Sequence, residues 1–475
     1  MDAQSIHQLR EIGAIIQSSI ETVTRLNNTS KDQLPAKPLF DAQRAILAAA
    51  GKLTELVSQP SIRILEVSSQ YFESRCLHII ADKRVPDILA EGGARGVHVE
   101  KIAKSIGIET QKLSRILRCL CSIQVLDEVS QDTFANNIIS SALVGNEPLR
   151  AYVLLFGLDI YSASDYLPRA LNHEVIGPSY LVDCTPFQEA VGTSLSRWEW
   201  LEERVSVKDL RIGNCGSHGT TSAYPGPFGA ELQAAIAGKT DDELVPRPEH
   251  RVFGLAMLGG GRVSGVAHLY DYPWEKLGAA TVVDVGGGVG GFSLQLSHLY
   301  PLLRFVVQDR AAVLEQAKSS VWPEGNPDAF NSGRVTFVPH DFFESNPFQH
   351  ADVYWLRYIL HDWSDDYCVQ ILSAIRASMG PNSRILICDQ VMNTTLGCSE
   401  LPPAPRPLPA NWGYYTRYSH QRDLAMMSII NGIERTPAQF GTIVERAKLK
   451  MRKIWDCRSQ VSLVEVVLPT SPLLG

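Results

Sequence analysis

The sequence has no run of 18 or more apolar residues, so we expect neither a membrane-spanning helix nor a membrane partner. Its first residues, MDAQSIHQLREIGAIIQ, carry charges throughout and lack the apolar core of a signal peptide. Paired C-x-x-C spacing would indicate a disulfide framework or a zinc site, and none of the nine cysteines has it. Together these absences predict a cytoplasmic protein with free thiols and no metal centre.

An excess of positive charge is also missing. Lys and Arg number 44 against 51 Asp and Glu, which gives a formal net charge of −7. Proteins that bind nucleic acid neutralise its phosphates with Lys and Arg. The balance therefore argues against nucleic acid as a partner.

The first part of the chain has a helical texture. Residues 1 to about 80 carry apolar side chains at helical spacing, and residues 97–137 read as two helices joined at Gly107 and followed by a hairpin. This winged-helix pattern suits either DNA recognition, through Lys112, Arg115 and Arg118, or a structural or dimerisation module. Flanking acidic residues argue against DNA, so residues 1–185 are predicted to form an all-helical and winged-helix domain with a structural or dimerisation role.

From about residue 279 the sequence alternates between strands and helices. Such alternation predicts an α/β fold with a doubly wound parallel sheet and helices on both faces. We place this second domain at residues 186–475. Two stretches rich in Gly, Ser, Thr and Pro interrupt it as predicted insertions, near 206–250 and 397–415, the first read as a partly mobile surface loop with a possible short helix.

Polar residues stand where the predicted strands end. Each suits a helix cap when taken alone. The carboxyl ends of parallel strands lie at one edge of the sheet, where such folds bind ligands. The series therefore predicts a polar pocket formed by Asp284, Asp309, Asp341, His361 and Asp389.

Glycines follow the first of these strands. Gly286, Gly288 and Gly291 satisfy G-x-G-x-x-G, a pattern that nicotinamide and flavin enzymes share. However, a carboxylate at Asp284 would repel a pyrophosphate, whereas it can hold a cationic amine. Further along, the HDFF stretch at 340–343 offers an acid and aromatic rings suited to the edge and face of an adenine.

These motifs carry a resemblance to a known family. VVDVGGGVGGFS, QDR, HDFF, LRYILHDWSDD and INGIERTPAQF are similar, in order and spacing, to S-adenosylmethionine-dependent small-molecule O-methyltransferases of the caffeate and flavonoid type, which have fungal relatives in secondary metabolism. The likeness runs from the winged helix nearly to the C-terminus and excludes the two insertions. It implies a Rossmann-like methyltransferase domain, S-adenosylmethionine as cofactor, a homodimer, and a small aromatic or polyketide-like acceptor.

The resemblance also implies roles for individual residues. For the cofactor, Asp284, Gly286 and Gly288 would border its methionine end, Asp309 its ribose, and Asp341 with Phe342 its adenine. Arg357 stands where the family usually has a lysine near the cofactor. His361 would be the general base, oriented by Asp389 and by Glu434, while Met426 and Met427 would clamp the acceptor or simply pack in the core.

The choice of base also follows from position. Of the two histidines at this edge, His340 lies beside the predicted adenine acid, which leaves His361 to remove the proton of the acceptor. If the predicted strand before His361 and the predicted strand that ends at Asp389 are neighbours, they lie about 4.8 Å apart, so Asp389 could reach an imidazole nitrogen. A contact between Asp389 and His361 is therefore expected.

Several alternatives remain open at this point. His361, Asp362 and Asp365 could ligate a divalent metal, although acids at a helix start are also explained by the macrodipole. A nicotinamide oxidoreductase and a winged-helix DNA-binding regulator are further readings. The last is an enzyme of the same fold that binds S-adenosylmethionine and catalyses a rearrangement or cyclisation without methyl transfer.

Overall fold

The computed structural model describes residues 1–26, 34–214, 216–217, 222–227, 229–263 and 266–475. The chain divides into two compact units. We call residues 1–57, 264–427 and 431–475 the sheet unit, and residues 58–263 with 428–430 the helical unit. The domain boundary at 185/186 remains a prediction, since compactness groups the first 57 residues with the sheet and residues 186–263 with the helices.

The first two helices belong to the sheet unit. They are α1 (Ala3–Leu26) and α2 (Lys37–Val57). Ile12 and Ala48 from these helices share an apolar core with Ala404 and Leu408 of the second predicted insertion. That insertion is thus anchored by its own apolar residues.

The helical unit begins with the winged helix. Its elements are α3 (Pro60–Ser69), α4 (Tyr71–Asp82), α5 (Val85–Gly92), β1 (Val97–His98), α6 (Val99–Ile106), α7 (Thr110–Ser122), β2 (Leu126–Ser130) and β3 (Thr133–Asn136). Gly107 ends α6 at φ 72°, a conformation that glycine adopts without steric cost. β3 pairs antiparallel with β1 and β2, so the predicted helix-turn-helix and wing are present.

The remainder of the helical unit differs from the prediction. Its elements are α8 (Glu147–Gly157), α9 (Asp159–Ala170), α10 (Pro186–Val191), α11 (Arg197–Glu202), β4 (Arg204–Ser206), α12 (Val207–Ile212), α13 (Gly229–Ile236), β5 (Leu244–Pro246) and α14 (Pro248–Val263). β4 and β5 pair antiparallel. The stretch 206–250, expected as a surface loop, contains helices and strands in its described parts, and Val207, Leu210, Ile236 and Val245 form a small core there with Val205. The possible short helix in this stretch corresponds to α13; residues 215, 218–221 and 228 lie outside the described residues.

The rest of the sheet unit is a strand–helix alternation. Its elements are β6 (Thr281–Val285), α15 (Gly291–Leu299), β7 (Arg304–Asp309), α16 (Ala311–Gln316), α17 (Trp322–Gly325), α18 (Pro327–Asn331), β8 (Val335–Pro339), β9 (Val353–Arg357), α19 (Asp365–Arg376), β10 (Arg384–Asp389), α20 (Arg417–Ile430, whose last three residues group with the helical unit), α21 (Pro437–Arg446), β11 (Lys450–Asp456) and β12 (Ser462–Val467). The seven strands lie in the order β11-β12-β10-β9-β6-β7-β8. β6 to β10 are parallel, as predicted, whereas the unpredicted hairpin β11–β12 adds an antiparallel edge.

Both faces of this sheet are buried. One face, which includes Trp355 of β9, packs on Phe292 and Trp322, and the other packs on Leu372 and Phe440. The chain order runs outward in opposite directions from β6 and β9, which makes the carboxyl ends of these two strands the switch point of the sheet. A functional site is therefore expected there. None of the described helices combines the length and apolarity needed to cross a bilayer.

Candidate active site

The loop after β6 is shaped by its glycines. Gly286, Gly288 and Gly290 have φ values of 66°, 59° and 78°, a region that other residues seldom adopt, while Gly291 is already the first residue of α15. A Cβ on Gly287 would lie 2.5 Å from the Asp284 carboxyl carbon, whereas one on Gly288 would meet nothing within 4 Å. The loop backbone thus leaves open space above Gly288 that a ligand can approach closely.

Asp284 lies beneath this loop. It is buried, and its Oδ2 accepts a hydrogen bond of 2.6 Å from the Ser293 hydroxyl. Burial raises the pKa of Asp284 to about 6, and the Ser293 hydroxyl and Arg357 counteract the rise. At neutral pH the site therefore contains a largely ionised, water-excluded carboxylate that favours a cationic partner.

The next two predicted acids hold backbone amides. Asp309 accepts hydrogen bonds from the amides of Gly288 (2.8 Å) and Arg310 (2.7 Å), so it ties the end of β7 to the glycine loop. Asp341 is exposed, and its Oδ1 accepts from the Phe343 amide at 3.0 Å. The ring of Phe342 lies beside Gly286, 3.6 Å from the position of a Cβ there. Asp309 and Phe342 therefore border the same loop from the side of β7 and β8.

Arg357 ends β9, the neighbour of β6. Its Nε and Nη2 are buried and have no hydrogen-bond partner among the described residues. Buried donors are rarely left unsatisfied, so an anionic or carbonyl group is expected against this guanidinium. A ligand with an amine for Asp284 and a carboxylate for Arg357, such as the methionine part of S-adenosylmethionine, fits the charges of this crevice.

His361 lies four residues beyond the end of β9, in a short 3-10 helix, and is 5% exposed. Its Nδ1 is 2.9 Å from Glu434 Oε1, and its Nε2 is 3.2 Å from Asp362 Oδ1. Burial alone lowers the pKa of His361, but Asp362 and Glu434 together raise it to about 9. Ionised carboxylates only accept hydrogen bonds, so Glu434 beside Nδ1 and Asp362 beside Nε2 favour the protonated form of the ring.

Glu434 has a second basic partner that the sequence analysis missed. Arg422 on α20 forms an ion pair with Glu434, with its Nε 3.2 Å from Glu434 Oε1, and its guanidinium lies 4.3 Å from the centre of the Tyr358 ring. Burial alone raises the pKa of Glu434, but His361 and Arg422 lower it below its usual value. Arg422 stands four residues before Met426 on one helix, and this spacing was the available signal that both face one site.

Asp389 does not make the expected contact. Its Oδ1 accepts from the Tyr358 amide at 3.0 Å, and Asp389 forms no ion pair with His361 among the described residues. The strands are indeed neighbours, but Tyr358 has φ 53° and turns the chain at the end of β9, so its amide rather than the His361 ring faces Asp389. Burial raises the pKa of Asp389 to about 6.

The two methionines lie on α20 and are half-buried. Met426 packs near Gly432, where an added Cβ would lie 3.1 Å from the Met426 Cβ and 2.4 Å from the His361 carbonyl oxygen. Met426 thus borders the segment that carries His361. Met427 is its neighbour in sequence, and its role stays a prediction.

Asp362 and Asp365, which were considered as metal ligands, form ion pairs with neighbouring side chains. Asp365 begins α19 and accepts from Arg435 Nη2 at 2.8 Å and Nε at 3.0 Å. Within the described parts of the chain, no three His, Cys, Asp or Glu side chains are grouped so that they could hold a metal ion. The HDWSD element therefore supplies a histidine contact and a helix start.

Comparison with known protein families agrees with this geometry. Residues 248–450 match the model of the O-methyltransferase domain, and residues 65–146 match that of the O-methyltransferase dimerisation domain. The O-methyltransferase tpcA of Aspergillus fumigatus is 56% identical over 97% of this chain and 96% of its own length. The winged helix is thus part of a dimerisation domain.

Solved structures share the fold. CalO1, described as a methyltransferase in calicheamicin biosynthesis in its SAH-bound form, is 25% identical, with a TM-score of 0.59 over 86% of this chain and 98% of its own. A protein described as a pericyclic reaction enzyme has a TM-score of 0.65 over 97% of this chain and 99% of its own, but at 21% identity this likeness concerns the fold alone. The chain belongs to the O-methyltransferase family, enzymes that take a methyl group from S-adenosylmethionine.

Proposed function

We propose that this O-methyltransferase methylates a hydroxyl oxygen of a small secondary metabolite, with His361 as the general base. The acceptor is a phenol, an enol or a carboxylic acid, with an aromatic or polyketide-like framework. The observation that carries the proposal is the buried His361, held by Glu434 at the sheet edge that also carries the glycine loop. The dimerisation domain supports a homodimer.

Each residue of the crevice would bind a different part of the cofactor. Asp284 would hold its amine, Arg357 its carboxylate, Asp309 the ribose hydroxyls, and Asp341 with Phe342 the adenine. The bound cofactor supplies an electrophilic methyl group on a sulfonium. The protein must then present an electron-rich oxygen to this carbon.

His361 prepares that oxygen by moving one proton. In the arrangement described, Asp362 occupies the Nε2 side and Glu434 the Nδ1 side of the ring. Nε2 must first lose its proton to solvent water and leave Asp362, and it can then accept the proton of the acceptor hydroxyl. Glu434 keeps Nδ1 protonated throughout and stabilises the imidazolium that forms again when the acceptor is deprotonated.

The pKa values suit a weakly acidic acceptor. A phenol titrates near pH 10, roughly one unit above the raised pKa of about 9 of His361. Proton transfer between groups of similar pKa costs little free energy, so a base of this strength favours phenols and more acidic enols. Aliphatic alcohols are much weaker acids, and we expect them to react poorly.

An acceptor panel tests the proposed function. We expect purified protein with S-adenosylmethionine labelled in the methyl group to label phenols or enols, with the label on oxygen, and to leave aliphatic alcohols unlabelled. Reactions without acceptor provide the blank. Tight cofactor binding with a rearranged, unlabelled product would contradict methyl transfer and favour the rearrangement alternative.

The raised pKa of His361 predicts the pH profile. Protonated His361 cannot act as a base, so kcat/KM should rise with pH until about 9 and then level off. Asp362→Asn removes an anion from the ring and should move this rise to lower pH. Unfolding midpoints at each pH serve as the control, since the ion pairs that raise this pKa stabilise the fold below pH 6.5 and are lost as the pH passes 9. A flat profile, or one that Asp362→Asn does not move, would remove His361 from the role of base.

A further inference from the structure

A pocket in the sheet unit is lined in part by α20, the helix that also carries Arg422 and Met426. Its walls come from five segments, represented by Arg44 of α2, Met392 after β10, Trp412 of the second insertion, His420 of α20 and Gln460 of the turn between β11 and β12. The insertion at 397–415 contributes to this wall, which suggests that it has a role in binding a ligand.

The wall is held in place by its own contacts. The Arg44 guanidinium stacks 3.8 Å from the centre of the Trp412 ring and pairs with Asp41 at 2.8 Å. Within the insertion, the Ala404 amide donates to the Ala410 carbonyl at 3.0 Å. The pocket is therefore preformed, which lowers the entropic cost of binding.

The lining combines apolar surface with polar groups that can form hydrogen bonds. Leu401, Met392 and Trp412 provide the first, while His420 and Gln460 provide the second. The Arg44 charge is balanced by Asp41 and by Asp456, which lies 3.6 Å away. This composition suits an aromatic ring with a hydroxyl or carbonyl group and offers little to a strongly charged ligand.

Two segments connect the pocket to the catalytic residues. Along α20, Ser419 and His420 line the pocket, and Arg422 and Met426 lie near His361. A helix rises about 1.5 Å per residue, so Ser419 and Met426 are about 10 Å apart along its axis. On the sheet side, Ser462 of the pocket is the register partner of Asp389. An acceptor that lies beside Met426 and extends to Ser419 in the pocket must therefore span about 10 Å, which is longer than a single ring.

We propose that this pocket is the distal acceptor subsite, which binds a second ring carrying a hydroxyl or carbonyl group while His361 deprotonates the hydroxyl on the first. The inference rests on the proposed function and extends it to acceptors of two or more rings. The second insertion and α2 then determine acceptor length.

Three probes separate ring number from the distal polar group: phenol, p-phenylphenol and p,p′-biphenol. For wild type we expect kcat/KM to rise about tenfold from phenol to p-phenylphenol through burial of the second ring, and roughly three- to tenfold further with the distal hydroxyl of p,p′-biphenol. Leu401→Trp fills the pocket and should abolish both gains without changing phenol turnover. His420→Ala should remove only the gain from the distal hydroxyl.

Leu396→Trp is the matched control, because Leu396 lies in the neighbouring loop, is 92% exposed and does not line the pocket. Wild-type methylation of phenol with a two-ring preference that survives Leu401→Trp would overturn the subsite and leave the proposed function standing. If no probe is methylated, calorimetric Kd values for p,p′-biphenol decide: equal values for wild type and Leu401→Trp overturn the subsite. Tighter binding by wild type supports it while counting against phenol methylation.

Discussion

Replacing His361 by alanine should lower kcat by about a hundred- to ten-thousand-fold while leaving the Kd for S-adenosylmethionine nearly unchanged. The cofactor residues Asp284, Asp309 and Phe342 lie at or beside the loop after β6 and Arg357 ends β9, whereas His361 lies beyond the end of β9 and contacts Asp362 and Glu434. Removal of the imidazole therefore takes away the base without touching the cofactor crevice. Isothermal titration gives the Kd, and single-turnover kinetics give the rate of methyl transfer.

Two comparisons make this result interpretable. His7→Ala removes an exposed histidine of α1 and should leave both the Kd and the rate unchanged. An acceptor that is already ionised in solution, such as a nitrophenol, should lose much less rate in His361→Ala, because no proton has to be removed. Equal losses for ionised and neutral acceptors would show that His361 positions the acceptor and does not act as a base.

The sequence identified the sheet edge because local patterns encode it. Apolar runs that stop at polar residues predicted β6 to β10, and they predicted that Asp284, Asp309 and Asp341 follow or end strands at one edge of the sheet. The glycine loop follows β6 as expected. In contrast, the pattern could not reveal how the chain leaves β9. The left-handed conformation of Tyr358 sets which group faces Asp389, and such a turn at a non-glycine residue has no clear sequence signal.

Long-range pairing limited the prediction in a second way. Arg422 and Glu434 come together because α20 packs beside the turn that carries Glu434, whose amide donates to Asp423 at 2.9 Å. No periodicity within either segment encodes that approach. The order of the first insertion was missed for a related reason, since its core joins Val205 to Val245 across a stretch rich in polar and small residues.

Glu434 and Asp389 should respond differently to neutralisation, since only Glu434 contacts the imidazole. Glu434→Gln removes the anion that stabilises the imidazolium, and we expect kcat to fall about a hundredfold. Asp389→Asn retains an oxygen that can accept from the Tyr358 amide, so its kcat should change only a few fold. Glu434→Gln also lowers the pKa of His361, which raises the fraction of neutral His361 at pH 7 and so partly offsets the loss of kcat. Both variants should therefore be measured above pH 9, where His361 is mostly neutral in each.

The buried charge of Arg422 requires a further control. Its side chain is 9% exposed and loses an ionised partner in Glu434→Gln, which can cost about 3–5 kcal/mol of stability. The double variant Arg422→Met with Glu434→Gln removes both charges and should recover most of the unfolding midpoint without recovering kcat. Recovery of kcat in the double variant would mean that Glu434 serves only to neutralise Arg422. A larger loss of kcat in Asp389→Asn than in Glu434→Gln would mean that Asp389, and not Glu434, orients the His361 ring. Asp389 would then have to give up its hydrogen bond with the Tyr358 amide to reach the ring.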